Sequence, residues 1–496
     1  MAMFCVIVAV IRPLFHDEAS TIYFAGEGVQ HLFAMLRQDV HPPGYFLFAL
    51  ACLKVFEDSY FALRVMSALF MGGAVYLFLR GLRCWLGRYP SIPAMSLISI
   101  SPFLIFCGYF ARYYALVCLL WAACFWALGW ARRNPCPLKC AAVGVLGALT
   151  FLTNYAATVV AVAGVLPFAF EMVRARRWRS LIGLAVPGLV AFAAWFPMLR
   201  AQLTVDLPGR WDGESMVTAG RVVKNAGFLA WSLAVSDGLP PWSVGGLVLA
   251  PVLHVCAGVT VWRCLASGNV SGDYGNLRHL TVSALMMLAA GVVVGLLFLP
   301  GPMYSFLPPR VALCGFAWLV LLVVIPDCLY GQGKFYMYAL LAAHACGAIQ
   351  LLSLLNTTNW AYQVPVNAIV RTVSSYAVNH EGLDAVYLPR KSIGNIRFGL
   401  EKWIKAGPRD VELLPTTADS VASATQILVI RDSRMPEWPP SKAVNDPGLV
   451  NPAGNWTRIE SDVLVQETGE AGKIKRLFSG SEVRTDKIRL DVWRRE

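Results

Sequence analysis

HDEASTIYFAGEGVQHLFAMLRQDVHPPGY, residues His16 to Tyr45, is the first long polar interruption in a chain otherwise built of apolar runs. It holds an adjacent acid pair, Asp17-Glu18, and ends on His41-Pro42-Pro43, just before the next apolar run. Whether it joins two membrane crossings or makes one long excursion on a single face sets the side of every later loop. Polar groups kept at a bilayer boundary also mark a functional surface.

The composition fixes the setting. Hydrophobic residues make up 57% of the chain and charged residues 15%, where soluble domains carry roughly a quarter charged. That excludes a soluble globular protein and predicts a mainly α, polytopic membrane helical protein with membrane lipids around it. The formal charge of +12 sits largely in short Lys and Arg clusters between apolar runs, where it orients helices. Nucleic acid is therefore not an expected partner. The 13 cysteines all precede residue 347 and fall mostly inside apolar runs, which reads as core packing, not as a disulfide framework or a metal site.

Met1 to Ile11 reads as a first membrane helix and not as a cleaved signal, since no basic n-region precedes it. It is short for a hydrocarbon core of about 30 Å, which leaves room for a start upstream. Later runs extend from Phe61–Leu79 to Phe335–Leu355, and together with the first they predict about eleven spanning helices. Gly44 to Phe56 reaches only about 20 Å as a helix and is too short to cross comfortably.

Charge decides the status of that short run. If it does not cross and the amino terminus is cytoplasmic, Arg80/Arg83/Arg88, Arg132/Arg133/Lys139, Arg174/Arg176/Arg177/Arg179, Arg263/Arg278 and Lys334 all face the cytoplasm, as the positive-inside rule requires. Gly44 to Phe56 is then a half-helix in the outer leaflet. The same topology collects Asp17, Glu18, His41, Arg64, the Tyr109 to Tyr113 segment, Asn154-Tyr155, the loop from Arg200 to Trp242, Tyr304 and Arg310 on the outer face. After Leu355 cysteine disappears and charge becomes frequent, which marks a domain boundary. The expected division is a membrane domain over 1–355 and a small C-terminal α/β domain over 356–496, periplasmic or extracellular by parity. Strands are expected at Asp384–Leu388, Gln426–Ile430 and Ile488–Trp493, and a helix at Asn395–Lys405.

The order of motifs carries a resemblance. Asp17-Glu18 after a first helix, His41-Pro42-Pro43, Ser101-Pro102, Ala111-Arg112-Tyr113-Tyr114 and then Asn154-Tyr155 resemble the C-type (GT-C) integral membrane glycosyltransferases of the protein O-mannosyltransferase and aminoarabinose-transferase kind. The resemblance covers about residues 1–355. It implies an enzyme of the cell inner membrane that takes a sugar from a polyprenyl-phosphate donor and passes it to a hydroxyl of a lipid, an envelope glycan or a protein. It also implies that Asp17 is the catalytic base, with Glu18 as its neighbour. The substrate-binding residues it implies are His41, Arg64, Arg112, Tyr113, Tyr155, Tyr304 and Arg310. One departure is Arg310-Val311, where the family has Arg-Tyr.

The chemistry suits these residue types. A hydroxyl must lose a proton as it attacks the anomeric carbon, and a positioned base contributes about 10²- to 10⁴-fold. The leaving phosphate is already a stable anion, so what it needs is cationic charge in the form of a planar guanidinium fork. No metal-ligand set is present; a divalent cation remains a possible cofactor because acids stand near a phosphate. Plainer readings exist for each residue. Asp17 and Glu18 suit the first turn of a surface helix, and His41-Pro42-Pro43 suits a rigid turn. Arg112 and the tyrosines suit a membrane-boundary belt. The competing class is a transporter or lipid flippase, for which paired halves or interrupted midplane helices are the expected sign.

Overall fold

The computed structural model describes residues 1–11, 16–26, 28–56, 60–204, 250–266, 273–297, 312–330, scattered positions from 338 to 348, and five strand segments between 385 and 495. Tyr304 and Arg310, almost all of the loop after Arg200, most of the Phe335–Leu355 run and the expected helix at Asn395–Lys405 lie outside the described residues. The chain divides into two compact units: Met1–Ile11 with Phe24–Asn356, and Arg12–Tyr23 with Thr357–Glu496.

The first unit is helical. Its elements begin with α1 (Ala2–Ile11), followed by α2 (His16–Gly26), which starts in the second unit, α3 (Val29–Arg37), α4 (Gly44–Val55) and α5 (Tyr60–Leu86). Next come α6 (Ile92–Ser99), α7 (Pro102–Tyr109), α8 (Tyr114–Arg133), α9 (Pro137–Thr153), α10 (Tyr155–Arg174) and α11 (Trp178–Leu203). The described helices close with α12 (Ala250–Ala266), α13 (Asp273–Leu297), α14 (Leu313–Leu319), a π turn at Val320–Val324, and α15 (Ile325–Tyr330). Six stretches among the described residues are long and apolar enough to cross a membrane, and shorter apolar helices stand beside them. The protein is a multi-pass membrane protein.

Local sequence explains several boundaries. The apolar run from Pro90 is one candidate crossing, Ile92–Tyr109, yet it breaks at Ile100-Ser101 because Pro102 disfavours the helical conformation of the residue before it and lacks an N–H. Asn154 separates α9 from α10: its own backbone is extended, and its Oδ1 accepts from Ala157 N at 2.8 Å as a helix cap. α4 has 12 residues, about 18 Å of helix, too short to cross. Gly44 starts it where a Cβ would lie 2.6 Å from the Leu152 carbonyl oxygen, so only glycine lets α4 approach the end of α9 this closely. The main helix packing pairs are α5 with α8, α9 with α11, α10 with α13, and α8 with α9.

α8, α9 and α10 give the bundle two chemically different ends. One end gathers the basic residues: Arg132 bridges Glu171 through Nε and Nη2 at 3.3 Å each, Glu171 meets His279 Nδ1 at 3.1 Å, and Arg132 also donates to Asn276. Arg133 donates to the Cys84 carbonyl, and Arg83 lies over Tyr89. The opposite ends of the same three helices, Tyr114, Thr153 and Tyr155, border the site described below. The described cysteines are all free, and most are buried.

In the second unit five strands form one sheet: β1 (Ala385–Tyr387), β2 (Glu412–Leu413), β3 (Gln426–Asp432), β4 (Trp456–Val465) and β5 (Lys487–Arg495), in the order β2-β1-β3-β5-β4. β1 pairs in parallel with β2 and β3, while β5 runs antiparallel between β3 and β4. β1, β3 and β5 fall on the three expected strands. β2 is too short to leave a pattern. β4 is hidden because Ile459 bulges out of the ladder between Arg458 and Glu460, and one extra residue moves every later side chain to the other face.

Candidate functional site

The site grows from the turn that ends the opening stretch. α3 stops at Arg37, and Asp39 and His41 follow within the same turn. Asp39 Oδ1 accepts from Val40 N at 2.7 Å, and Oδ2 lies 2.9 Å from His41 Nδ1. Burial pushes the Asp39 carboxyl upward, but the His41 imidazole, the Val40 N–H and the Arg112 charge outweigh it and hold its pKa at about 2. Asp39 is therefore an anion throughout the neutral range. A carboxylate on Nδ1 also fixes the tautomer of its imidazole, leaving Nε2 as the second working nitrogen.

Aromatic rings set the plane of that imidazole. His41 stacks at a tilt on Tyr113, centroids 5.6 Å apart, and meets Phe46 edge-on at 5.9 Å. Tyr45 packs edge-on to the same Tyr113 ring. Tyr113 sits in the turn between α7 and α8, and the Arg112 guanidinium lies 5.4 Å from its ring centre. Every residue from Ser101 to Ala115 is buried. Arg112 is only 6% exposed, which removes the belt reading: a snorkelling arginine keeps its head group accessible. A buried arginine stays charged and needs anionic or polar partners.

The third edge comes from α10 and α11. Gln202, in the last turn of α11, donates through Nε2 to the Leu36 and His41 carbonyls at 2.8 and 2.9 Å. Its Oε1 accepts from the Tyr155 hydroxyl at 2.8 Å, which in turn accepts from Trp195 Nε1 at 2.6 Å. The Tyr155 hydroxyl thus works inside the protein framework.

Among the sequence candidates, His41, Arg112 and Tyr113 meet directly, and Tyr155 joins them through Gln202. Arg64 is buried in the first turns of α5 and donates through Nη1 to the Ala9 carbonyl at 2.7 Å, close to the C-terminal end of α1, where a cation suits the helix dipole. Asp17 and Glu18 both lie in the first turn of α2, within the second unit, and Glu18 is fully buried. Asp39, Gln202 and Trp195 were not candidates. Asp39 stands two residues before His41, a spacing that allows contact only if the chain turns there, and Gln202 becomes a partner only once α11 packs beside α3. Among the described residues, no group of three or more His, Cys, Asp or Glu side chains could hold a metal ion.

No protein-family model matches the chain, and no curated protein matches it. Its fold is similar to that in the crystal structure of ArnT from Cupriavidus metallidurans bound to undecaprenyl phosphate, with a TM-score of 0.52 at 12% sequence identity over 86% of this chain and 91% of that one. At that identity the likeness is one of fold: the chain has the GT-C membrane fold.

Proposed function

We propose that this protein is an inner-membrane glycosyltransferase that moves a sugar from a polyprenyl-phosphate donor to the hydroxyl of a lipid, an envelope glycan or a protein, with inversion. The observation that carries the reading is a cluster of a buried arginine with a half-buried histidine and aspartate, built from four helix ends, at one end of a GT-C bundle whose other end is basic. By the positive-inside rule the basic end faces the cytoplasm and the cluster faces out. The C-terminal sheet domain then lies in the periplasm.

In this reading the acceptor oxygen attacks the anomeric carbon as the bond from that carbon to the phosphate oxygen breaks, and one direct displacement inverts the centre. Asp17, with Glu18 beside it in sequence, takes the acceptor proton. Arg112 faces the developing phosphate charge, with Arg310 and Arg64 as further phosphate residues and His41, held by Asp39, together with Tyr113 and Tyr304 contacting the substrate. The polyprenyl chain lies along the apolar helices.

The deciding experiment gives purified protein a panel of radiolabelled polyprenyl-phosphate sugars together with membrane extract, comparing wild type with Asp17→Asn. Transfer by wild type and its loss in the variant support the reading. Equal transfer by both removes Asp17 from the base role, and no transfer from any donor favours a transporter or flippase.

A further inference from the structure

We propose that Gln202 is a positioning residue: it holds the turn over residues 36–41, and with it the Asp39–His41 pair, in the placement the transfer reaction uses. The inference rests on the glycosyltransferase reading above and names what keeps one part of that site in place.

α11 is the unusual source of such a group. Among its 26 residues only Ser180 and Gln202 are buried, so an apolar helix that otherwise keeps most of its surface outward turns one amide inward at its end. Gln202 is 1% exposed. A primary amide offers two donors and one carbonyl oxygen, and here both donors and the oxygen are engaged. Leu36 lies in the last turn of α3, and its carbonyl, which also accepts from Asp39 N at 3.3 Å, has no partner within the helix. His41 lies two residues beyond Asp39. The amide therefore grips the turn on both sides of the residue that holds the imidazole.

Backbone bonds hold the start of the turn, Gln38 N to Met35 O at 3.0 Å and Asp39 N to Leu36 O at 3.3 Å, and it is the stretch after Asp39 that needs an outside hold. Pro42 and Pro43 follow His41 and supply no N–H, so two successive positions cannot tie the backbone down. The Val40 N–H is already given to Asp39. The orientation of the amide is also forced. Indole Nε1–H can only donate, so the Tyr155 oxygen accepts from Trp195 and sends its own proton to Gln202 Oε1. That leaves the NH₂ group facing the two carbonyls and excludes the flipped amide. A chain of hydrogen bonds with one direction thus runs from Trp195 through Tyr155 and Gln202 to His41.

A residue that merely stabilised the fold would change melting temperature and activity together, without altering the electrostatic surroundings of His41. The groups that face His41 are Asp39 on its own turn, Phe46 of α4, and Tyr113, with Arg112 close enough to act on Asp39. Loosening the turn changes the distance from His41 to Asp39 first.

The test uses the full-length protein in nanodiscs as wild type, Gln202→Ala, Gln202→Glu and Tyr155→Phe. Gln202→Glu keeps an acceptor for Tyr155 but sets carboxylate oxygens against two carbonyls. Tyr155→Phe removes only the group that orients the amide, and guards against a Gln202 variant that does not fold. NMR of ¹⁵N-histidine-labelled protein at one neutral pH reads the His41 ring nitrogens, assigned with His41→Gln, and donor turnover is read as kcat and KM. The expected result is a change in the His41 ring-nitrogen chemical shifts in both Gln202 variants, which reports a loosened contact with Asp39. With it, kcat falls roughly tenfold or more while donor KM changes little. Tyr155→Phe should show a smaller change in the same direction. Unmoved His41 ring shifts in the folded variants overturn the proposal, as does activity that only tracks the folded fraction. If wild type transfers no sugar, the enzymatic reading falls by itself, and the His41 ring shifts still decide the role of Gln202.

Discussion

His41 Nδ1 lies 2.9 Å from Asp39 Oδ2, within a turn whose carbonyls at Leu36 and His41 are held by the amide of Gln202. The pair belongs to one short segment, but its partners Arg112 and Tyr113 come from the turn between α7 and α8. A local contact is thereby built into a long-range site.

The depressed Asp39 pKa makes a statement about stability. Its folded value is about 2, below the ordinary 3.8, so the contribution is complete above the ordinary value and is lost as pH falls through the folded one. It should be on the order of 2 kcal/mol at neutral pH. Asp39→Asn should therefore melt earlier than wild type at pH 7 in detergent, and the gap should close as pH approaches the folded value. A gap that does not depend on pH would contradict this.

Arg112 should not be replaceable by lysine. Its planar guanidinium lies by the Tyr113 ring and acts on Asp39, and an ammonium reproduces neither the stack nor the fork. Transfer from a polyprenyl-phosphate sugar should drop by about 10²-fold or more in both Arg112→Ala and Arg112→Lys. Near-normal turnover in the lysine variant would show that charge alone suffices.

On the glycosyltransferase reading, Asp17→Asn should reduce transfer by about 10²- to 10⁴-fold and leave retention of an added polyprenyl phosphate unchanged, because the change removes a proton acceptor and not a lipid contact. Lipid binding can be read by native mass spectrometry alongside the transfer assay. Loss of binding in step with activity would move Asp17 to a binding role.

Gly44→Ala should destabilise the membrane unit by roughly 1–3 kcal/mol, since the new Cβ would stand 2.6 Å from the rigid Leu152 carbonyl and 3.0 Å from Thr153 Oγ1. A lower melting temperature checks it. An unchanged one would mean that α4 can slide along α9 without penalty.

Much of the helical unit was legible in the sequence because bilayer physics constrains it. Runs of about 20 apolar residues must be helices, and the Arg clusters at Arg80, Arg132 and Arg174 mark the same end of three different helices. The short α4 was also readable from its length. The neighbours of His41 were not. Tyr113 and Arg112 come from 71 or more residues away, and Gln202 lies 161 residues along the chain. No local periodicity encodes such distances. β4 stayed hidden for a different reason: its bulge erased the alternation on which strand reading depends.

By itself, the sequence determined that this protein is a membrane helical bundle with a tail that carries strands, and it determined which end of the bundle is basic. Those properties follow from composition, run length and the placement of charge, each of which acts locally against lipid or water. Only the tertiary structure decided which polar groups share a site. Burying Arg112 and Gln202 and half-burying Asp39 requires partners for each, and those partners are supplied by whichever helix ends the packing of α3, α8, α10 and α11 brings together.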